Sequence, residues 1–264
     1  MERKSVFTIL TKYSFIGFIL LIALTGCQGA NGDPISADSP GFFDHYFVYP
    51  FSLLIKGLAS LLNDNFGVSI IVITLLVRLI LMPFMLKQMK SSNQMREKMN
   101  VMKPEMDAIK EKYKDKKDKE SQMKMQQETM ELYQKHQMNP MASLGCLPMI
   151  IQVPIFIGLY YAIRRTPEIA THNFLWFNLG QTDMILPFIA AAIYLLQALV
   201  SRIGMDPNQK KQMALFSFIS PIMIFIVSFN FPAALPLYWA VSGLFLVFQT
   251  LISKRKYRTK TEES

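Results

Sequence analysis

Carboxylates are absent from every long apolar stretch of this 264-residue chain, although one such stretch carries an arginine near its middle. Cysteine is nearly absent as well. Cys27 and Cys146 cannot build a framework of bridges, and Cys146, next to Pro148, reads as a small buried thiol. No glycine loop of the Walker kind occurs, which argues against ATP-driven action within the chain. The three histidines, His45, His136 and His172, fall outside the apolar stretches and away from any carboxylate or cysteine cluster. That rules against an intramembrane metalloprotease and gives no support for a serine hydrolase. No catalytic set, metal site or cofactor is expected, and the chain does not read as an enzyme. The basic segments contain no recognisable nucleic-acid module, and no internal repeat, direct or inverted, is visible.

What the chain does have is apolar residues in blocks. It is 51% hydrophobic with mean hydropathy +0.24, and it holds 20 Phe and 18 Met. Blocks of this kind suit an all-α membrane protein better than a soluble domain with short periodic stripes. Five bilayer-spanning helices are expected, at 66–86, 147–163, 184–200, 213–229 and 231–252. Several contain proline (Pro83, Pro154, Pro187, Pro221 and Pro236), tolerated in lipid where neighbours satisfy the freed carbonyls. The last two are joined by the turn Asn230-Phe231-Pro232 and form an antiparallel hairpin.

Arg78 lies within the first of these spans, and so ~15 Å from either surface at about 1.5 Å per residue. That depth is too great for an easy snorkel to the headgroups. An arginine there costs roughly 3 kcal/mol on insertion scales and about 10 or more on an isolated helix in simulation. With no carboxylate in any apolar stretch to offset that cost, Arg78 reads as hydrated rather than salt-bridged. Gln152, Gln197, Gln249, Ser228, Ser242 and Trp239 are the side chains from other spans that could line a wet recess around it. Each has an alternative use as a hydrogen bond between helices.

Residues 1–26 have a basic start, a short apolar core and a small-residue end, the parts of an export signal. Leu24-Thr25-Gly26-Cys27 resembles a bacterial lipobox, with Cys27 as the lipid-modified first residue of the mature chain. The alternative is an uncleaved anchor whose cysteine is incidental. Two acyl chains on Cys27 would hold the terminus stably where one would not. Within 27–65, a small polar linker leads to an amphipathic helix from Pro50, with Phe51, Leu54, Ile55, Leu58, Leu61 and Leu62 on its apolar face. It either lies along the outer leaflet or packs on the helix bundle.

Charge sets the orientation. Lysine and arginine crowd the segment 87–136, the loop 201–212 and the tail 253–264, all on one side of five spans and therefore cytoplasmic. Arg164 and Arg165 fall on the outer side and are outvoted. The N-terminus is then outside and the C-terminus inside. Within 87–136, Met95, Met99, Met102, Met106, Ile109 and Tyr113 form an apolar seam. Pro104 should kink this helix or begin a new one. After the charged run Lys114–Lys119, the seam resumes with Met123, Met130 and Tyr133, flanked by Met125 and Leu132, predicting two antiparallel helices with a charged tip. The two seams either pack on each other or offer polarizable methionines to varied apolar partners.

Several landmarks occur together and in order. They are Leu76-Val77-Arg78 with Pro83, Gln126-Gln127-Glu128-Thr129-Met130, Asn139-Pro140 ahead of Leu147-Pro148, and Gln152-Val153-Pro154. Phe174-Leu175-Trp176-Phe177, Asn230–Ala234 and Leu237-Tyr238-Trp239 follow. This set resembles the YidC/Oxa/Alb family of membrane protein insertases, and the lipobox looks like the lipoprotein form found in Gram-positive bacteria. The resemblance implies five spans enclosing a hydrophilic groove, with Arg78 as the groove cation and Gln152, Gln197 and Trp239 as client-binding positions. It implies nascent membrane proteins as partners, with the ribosome, the Sec translocon and the lipid bilayer beside them and no small-molecule substrate. The rival is a small-anion transporter or channel with Arg78 as its selectivity charge. The missing inverted repeats and the long methionine-lined hairpin argue against it.

Overall fold

The computed structural model describes residues 33–114, 116, 118–136, 146–205 and 207–256. The expected signal segment, Cys27, Asn139-Pro140 and the end of the basic tail lie outside the described residues. The described chain is almost entirely helical. A π-helical turn at Asp44–Val48 leads into α1 (Tyr49–Leu61), followed by α2 (Phe66–Lys112), α3 (Lys119–Lys135) and α4 (Cys146–Arg165). The single turn α5 (Pro167–Ala170) and a two-stranded antiparallel hairpin, β1 (Asn173–Phe174) and β2 (Phe177–Asn178), come next. Then follow α6 (Leu186–Ser201), α7 (Pro207–Ser228) and α8 (Ala234–Lys256). α2 and α8 are long and apolar enough to cross a membrane, while α6 and the Ser217–Ser228 part of α7 are shorter apolar helices.

The helix ends follow local chemistry. The Asn65 side-chain oxygen accepts from the Val68 N–H at 3.0 Å and caps α2. The Asp183 carboxylate accepts from the Ile185 and Leu186 N–H groups at 2.8 and 2.6 Å, so α6 starts two residues after the expected 184. The expected loop 201–212 shrinks, because Pro207 starts α7 well before 213. Proline suits a first helical turn, where its missing N–H is no loss. Between α1 and α2, Asn63 and Asp64 take φ of +53° and +57°, a left-handed pair that short polar side chains tolerate.

Contacts divide the chain into two units. The first comprises the described parts of residues 1–79 and 151–250. Its core includes Ile55, Ile70, Ile163, Phe177, Leu179 and Leu235. α6 packs on α7 through Phe188, whose ring lies 5.0 Å from Phe225 and 6.0 Å from Phe229, both edge-on. Gly67 lets the ring of Phe174 close over α2, where an added Cβ would meet it at 2.1 Å. Hydroxyls within the apolar helices turn back on their own backbone. Thr74 donates to the Ile70 carbonyl at 2.6 Å and Ser228 to that of Ile224 at 2.5 Å. The buried face of α1 is Ser52, Ile55 and Ala59, while Leu54 and Leu61, expected on one apolar stripe with Ile55, are exposed. The stripe is wider than one packing face, so α1 both packs on the protein and presents apolar side chains outward.

The second unit comprises the described parts of residues 80–150 and 251–264, and it holds the helical pair formed by the later part of α2 with α3. Pro104 begins no new helix, since α2 runs through it to Lys112. Met102 and Met106, on either side of Pro104, pack against Leu132 and Tyr133 of α3, and that contact outweighs one lost backbone bond. The seam on α3 differs from expectation. Met123 (71% exposed) and Met130 (51%) face outward, while Tyr133, expected in the seam, and Leu132 beside it supply the contact. Met99 is also exposed. A register offset of one position decides which residue of such a run is covered.

Glu128 ties the tip of this pair, accepting from Lys112 Nζ at 2.5 Å and from the Tyr113 hydroxyl at 2.8 Å. Glu105 ties the other end, accepting from Lys135 Nζ at 2.7 Å and paired with His136 Nε2 at 3.0 Å. The Lys112 hydrogen bond, then that of Tyr113, holds Glu128 below the ordinary carboxylate range, and Lys135 followed by His136 does the same for Glu105. A carboxylate depressed on folding stabilises above its unfolded value and loses that contribution as pH falls through its folded one. Acidification through the carboxylate range therefore loosens the α2–α3 pair. Protection factors of α3 amides, measured against the intrinsic exchange rate at each pH, should fall more with acid than in the Glu105→Gln/Glu128→Gln double variant, whose response should be flatter.

Candidate functional site

Arg78 sits on α2 and is 9% exposed. Its Nη2 donates to Gln152 Oε1 at 3.0 Å. The Gln152 amide is thereby oriented, and its Nε2 makes a short hydrogen bond to the Tyr238 hydroxyl oxygen. Three helices, α2, α4 and α8, thus meet in one polar chain through residues 74 and 86 positions apart in sequence. No carboxylate among the described residues pairs with Arg78. The sealed, unpaired polar atoms among the described residues are Gln197 Oε1, Arg202 Nε, Ser242 Oγ and Ser253 Oγ. Arg78 contributes no atom to that set. Tyr194 on α6 lies within electrostatic reach of both Arg78 and Tyr238.

The expected site residues divide into three groups. Arg78 and Gln152 are in direct contact. Gln197 belongs to a different cluster, donating from Nε2 to Thr250 Oγ1 at 3.0 Å and to Ser201 Oγ at 3.2 Å. Trp239 makes no hydrogen bond with Arg78. It stacks on Phe156, with centroids 5.6 Å apart and planes at 12°, and meets Phe231 edge-on. Of the other polar candidates, Ser228 is spent on its own backbone. Ser242 is buried with its hydroxyl unpaired, and Gln249 is buried with a partner. Tyr238 is the residue that sequence reasoning missed. A tyrosine in an apolar run reads as aromatic bulk, and only its place one residue before Trp239 hinted at more.

A helical membrane protein with an uncompensated arginine hydrogen-bonded across helices is the class that these features define. The comparisons give its family. Residues 57–261 match the model of the family described as 60Kd inner membrane protein. Over its whole length the chain is 47% identical to membrane protein insertase YidC 2 of Listeria monocytogenes, covering 92% of that protein. It is 48% identical to membrane protein insertase MisCA of Bacillus subtilis, over 91% of this chain and 89% of that one. Its identity to MisCB of the same organism is 44%, over 91% of both. The chain belongs to the YidC/Oxa/Alb family of membrane protein insertases.

Proposed function

We propose that this protein inserts integral membrane proteins and helps them fold, with Arg78 holding the hydrophilic segment of a client in a hydrated groove. The observation that carries this reading is a guanidinium, 9% exposed, that donates to the Gln152 amide and has no carboxylate partner among the described residues. In lipid, a guanidinium donor without a partner would cost several kcal/mol. Water, or a polar client replacing it, removes the penalty. The names of the relatives support the same activity.

In this reading five helices span the bilayer, the hairpin of residues 87–136 and the basic tail are cytoplasmic, and lipidated Cys27 lies outside. The pair receives the client, and the tail approaches the ribosome, with the Sec translocon as a further partner. Transfer needs no nucleotide. The hydrophobic effect draws the client's apolar helix into lipid, and for acidic segments the membrane potential adds about 2.3 kcal/mol per charge per 100 mV.

Site-specific crosslinking tests this. Photoreactive residues at Arg78 and Trp239 should each capture a ribosome-bound nascent membrane protein. Absence of capture, together with anion flux through purified protein in liposomes, would replace the insertase reading with the transporter. Tyr238 is a positioning residue acting through Gln152. Tyr238→Phe leaves Gln152 Nε2 without its acceptor, at about 1 kcal/mol. We expect a lower thermal midpoint in detergent and a partial loss of insertion.

A further inference from the structure

The chain has two tryptophans, and only Trp239 is buried. Trp176 is 52% exposed and its neighbour Leu175 is 73% exposed. They are the two turn residues of the β-hairpin, between the Asn173–Asn178 and Phe174–Phe177 pairs. Tight hairpin turns demand positive φ and select Gly, Asn or Asp. Here Leu175 takes φ +55°, a conformation that costs a residue with a β-carbon about 1–2 kcal/mol. Burial within the chain does not offset that cost, since both side chains point away from the core. The indole lies only edge-on to Phe177, with centroids 5.3 Å apart.

Two further observations restrict what covers this tip. Residues 173–181 contain no Asp, Glu, Lys or Arg, so the segment offers a charged partner nothing to recognise. The base of the hairpin is fixed to the first turn of α2. The Phe174 ring lies over Gly67, and the His172 ring meets Phe66 edge-on at 5.2 Å. Phe66 is also where the apolar run of α2 begins, which is the level at which a spanning helix crosses from headgroups into hydrocarbon. An indole beside a leucine, with no net charge, fits that boundary: its ring is apolar and its N–H finds water or ester oxygens.

We propose that the Leu175–Trp176 tip is a lipid anchor seated at the headgroup–acyl boundary of the leaflet beside the Phe66 end of α2. In the orientation proposed above this is the outer leaflet. The anchor holds the α4–α6 connection at a fixed depth, and the lipid contact offsets the left-handed turn.

The tryptophan count supplies the experiment. Full-length Trp239→Phe protein has Trp176 as its sole indole. In phosphatidylcholine vesicles its emission should be blue-shifted from that of an indole in water. Lipid brominated near the glycerol end of its chains should quench most of it, and aqueous iodide little. Should Trp239→Phe fail to fold, the difference between wild type and Trp176→Phe gives the same signal with Trp239 untouched. Quenching by iodide without quenching by brominated lipid would mean a solvated tip, and quenching by neither would mean a protein partner. Either result overturns the anchor. Client insertion does not enter the readout, so such a failure leaves the reading of Arg78 standing.

Discussion

Arg78→Ala should reduce client insertion by roughly ten-fold or more in cells depleted of any paralogue, while Arg78→Lys should keep much of the activity. The magnitude follows from where the charge sits. A unit charge acting on a polar or acidic client group about 4 Å away is worth ~1 kcal/mol in bulk water and ~4 kcal/mol at the effective dielectric of a protein surface. A groove that is wet but walled by apolar helices lies between these limits, and each 1.4 kcal/mol is about ten-fold. The lysine variant is the sharper measurement. Arg78 uses a single donor on Gln152 rather than a bidentate fork, so an ammonium can replace it chemically. Desolvation, however, drives lysine toward its neutral form. In a hydrated recess Arg78→Lys stays charged and works; in a dry one it would deprotonate and behave like Arg78→Ala. Equal failure of both variants would therefore sink the hydrated groove, and normal insertion by Arg78→Ala would sink the role of the cation altogether.

Arg78 was legible in the sequence because it is a lone ionisable residue in a long apolar run, and Gln152 because it interrupts another. Intramembrane polar residues are costly, so each one that appears is informative. What reading along the chain could not supply is which polar residues meet. Gln197 and Arg78 look equivalent as polar intrusions, yet Gln197 closes on Thr250 and Ser201. That choice depends on helix rotation and packing, which hydropathy does not encode. Tyr238 was hidden for a related reason: its ring satisfies an apolar pattern while its hydroxyl accepts from Gln152. The helical character of the fold came from block length, whereas the bounds shifted at Asp183 and Pro207, where caps and first-turn proline decided. The exposed Met123 and Met130 show the limit of heptad counting. Apolar residues crowd both faces of α3, and only the partner helix selects the covered one.

The largest effect on stability should come from a pair that no local reading finds, Asp44 and Arg165, separated by 121 positions. Arg164 and Arg165 entered the sequence reading only as charges on the wrong side of the membrane. In the fold, Arg165 Nη1 donates to Asp44 Oδ2 at 2.6 Å, with the two side chains 8% and 11% exposed. Its Nε donates to the Asp33 carbonyl at 2.9 Å, and its own carbonyl accepts from the Ile35 N–H. The buried Ser52–Thr166 hydroxyl bond, 2.7 Å long, lies on the next residue. Removing one member of such a pair leaves the other charge buried and unpaired, which costs about 3–5 kcal/mol. Asp44→Ala and Arg165→Ala should each lower the thermal midpoint strongly in detergent. Asp44→Leu combined with Arg165→Met should recover much of the loss, because an apolar replacement has no charge to strand. If the double variant is no better than the singles, the charge pair is not the source of the effect and the Arg165 Nε bond to the Asp33 carbonyl is.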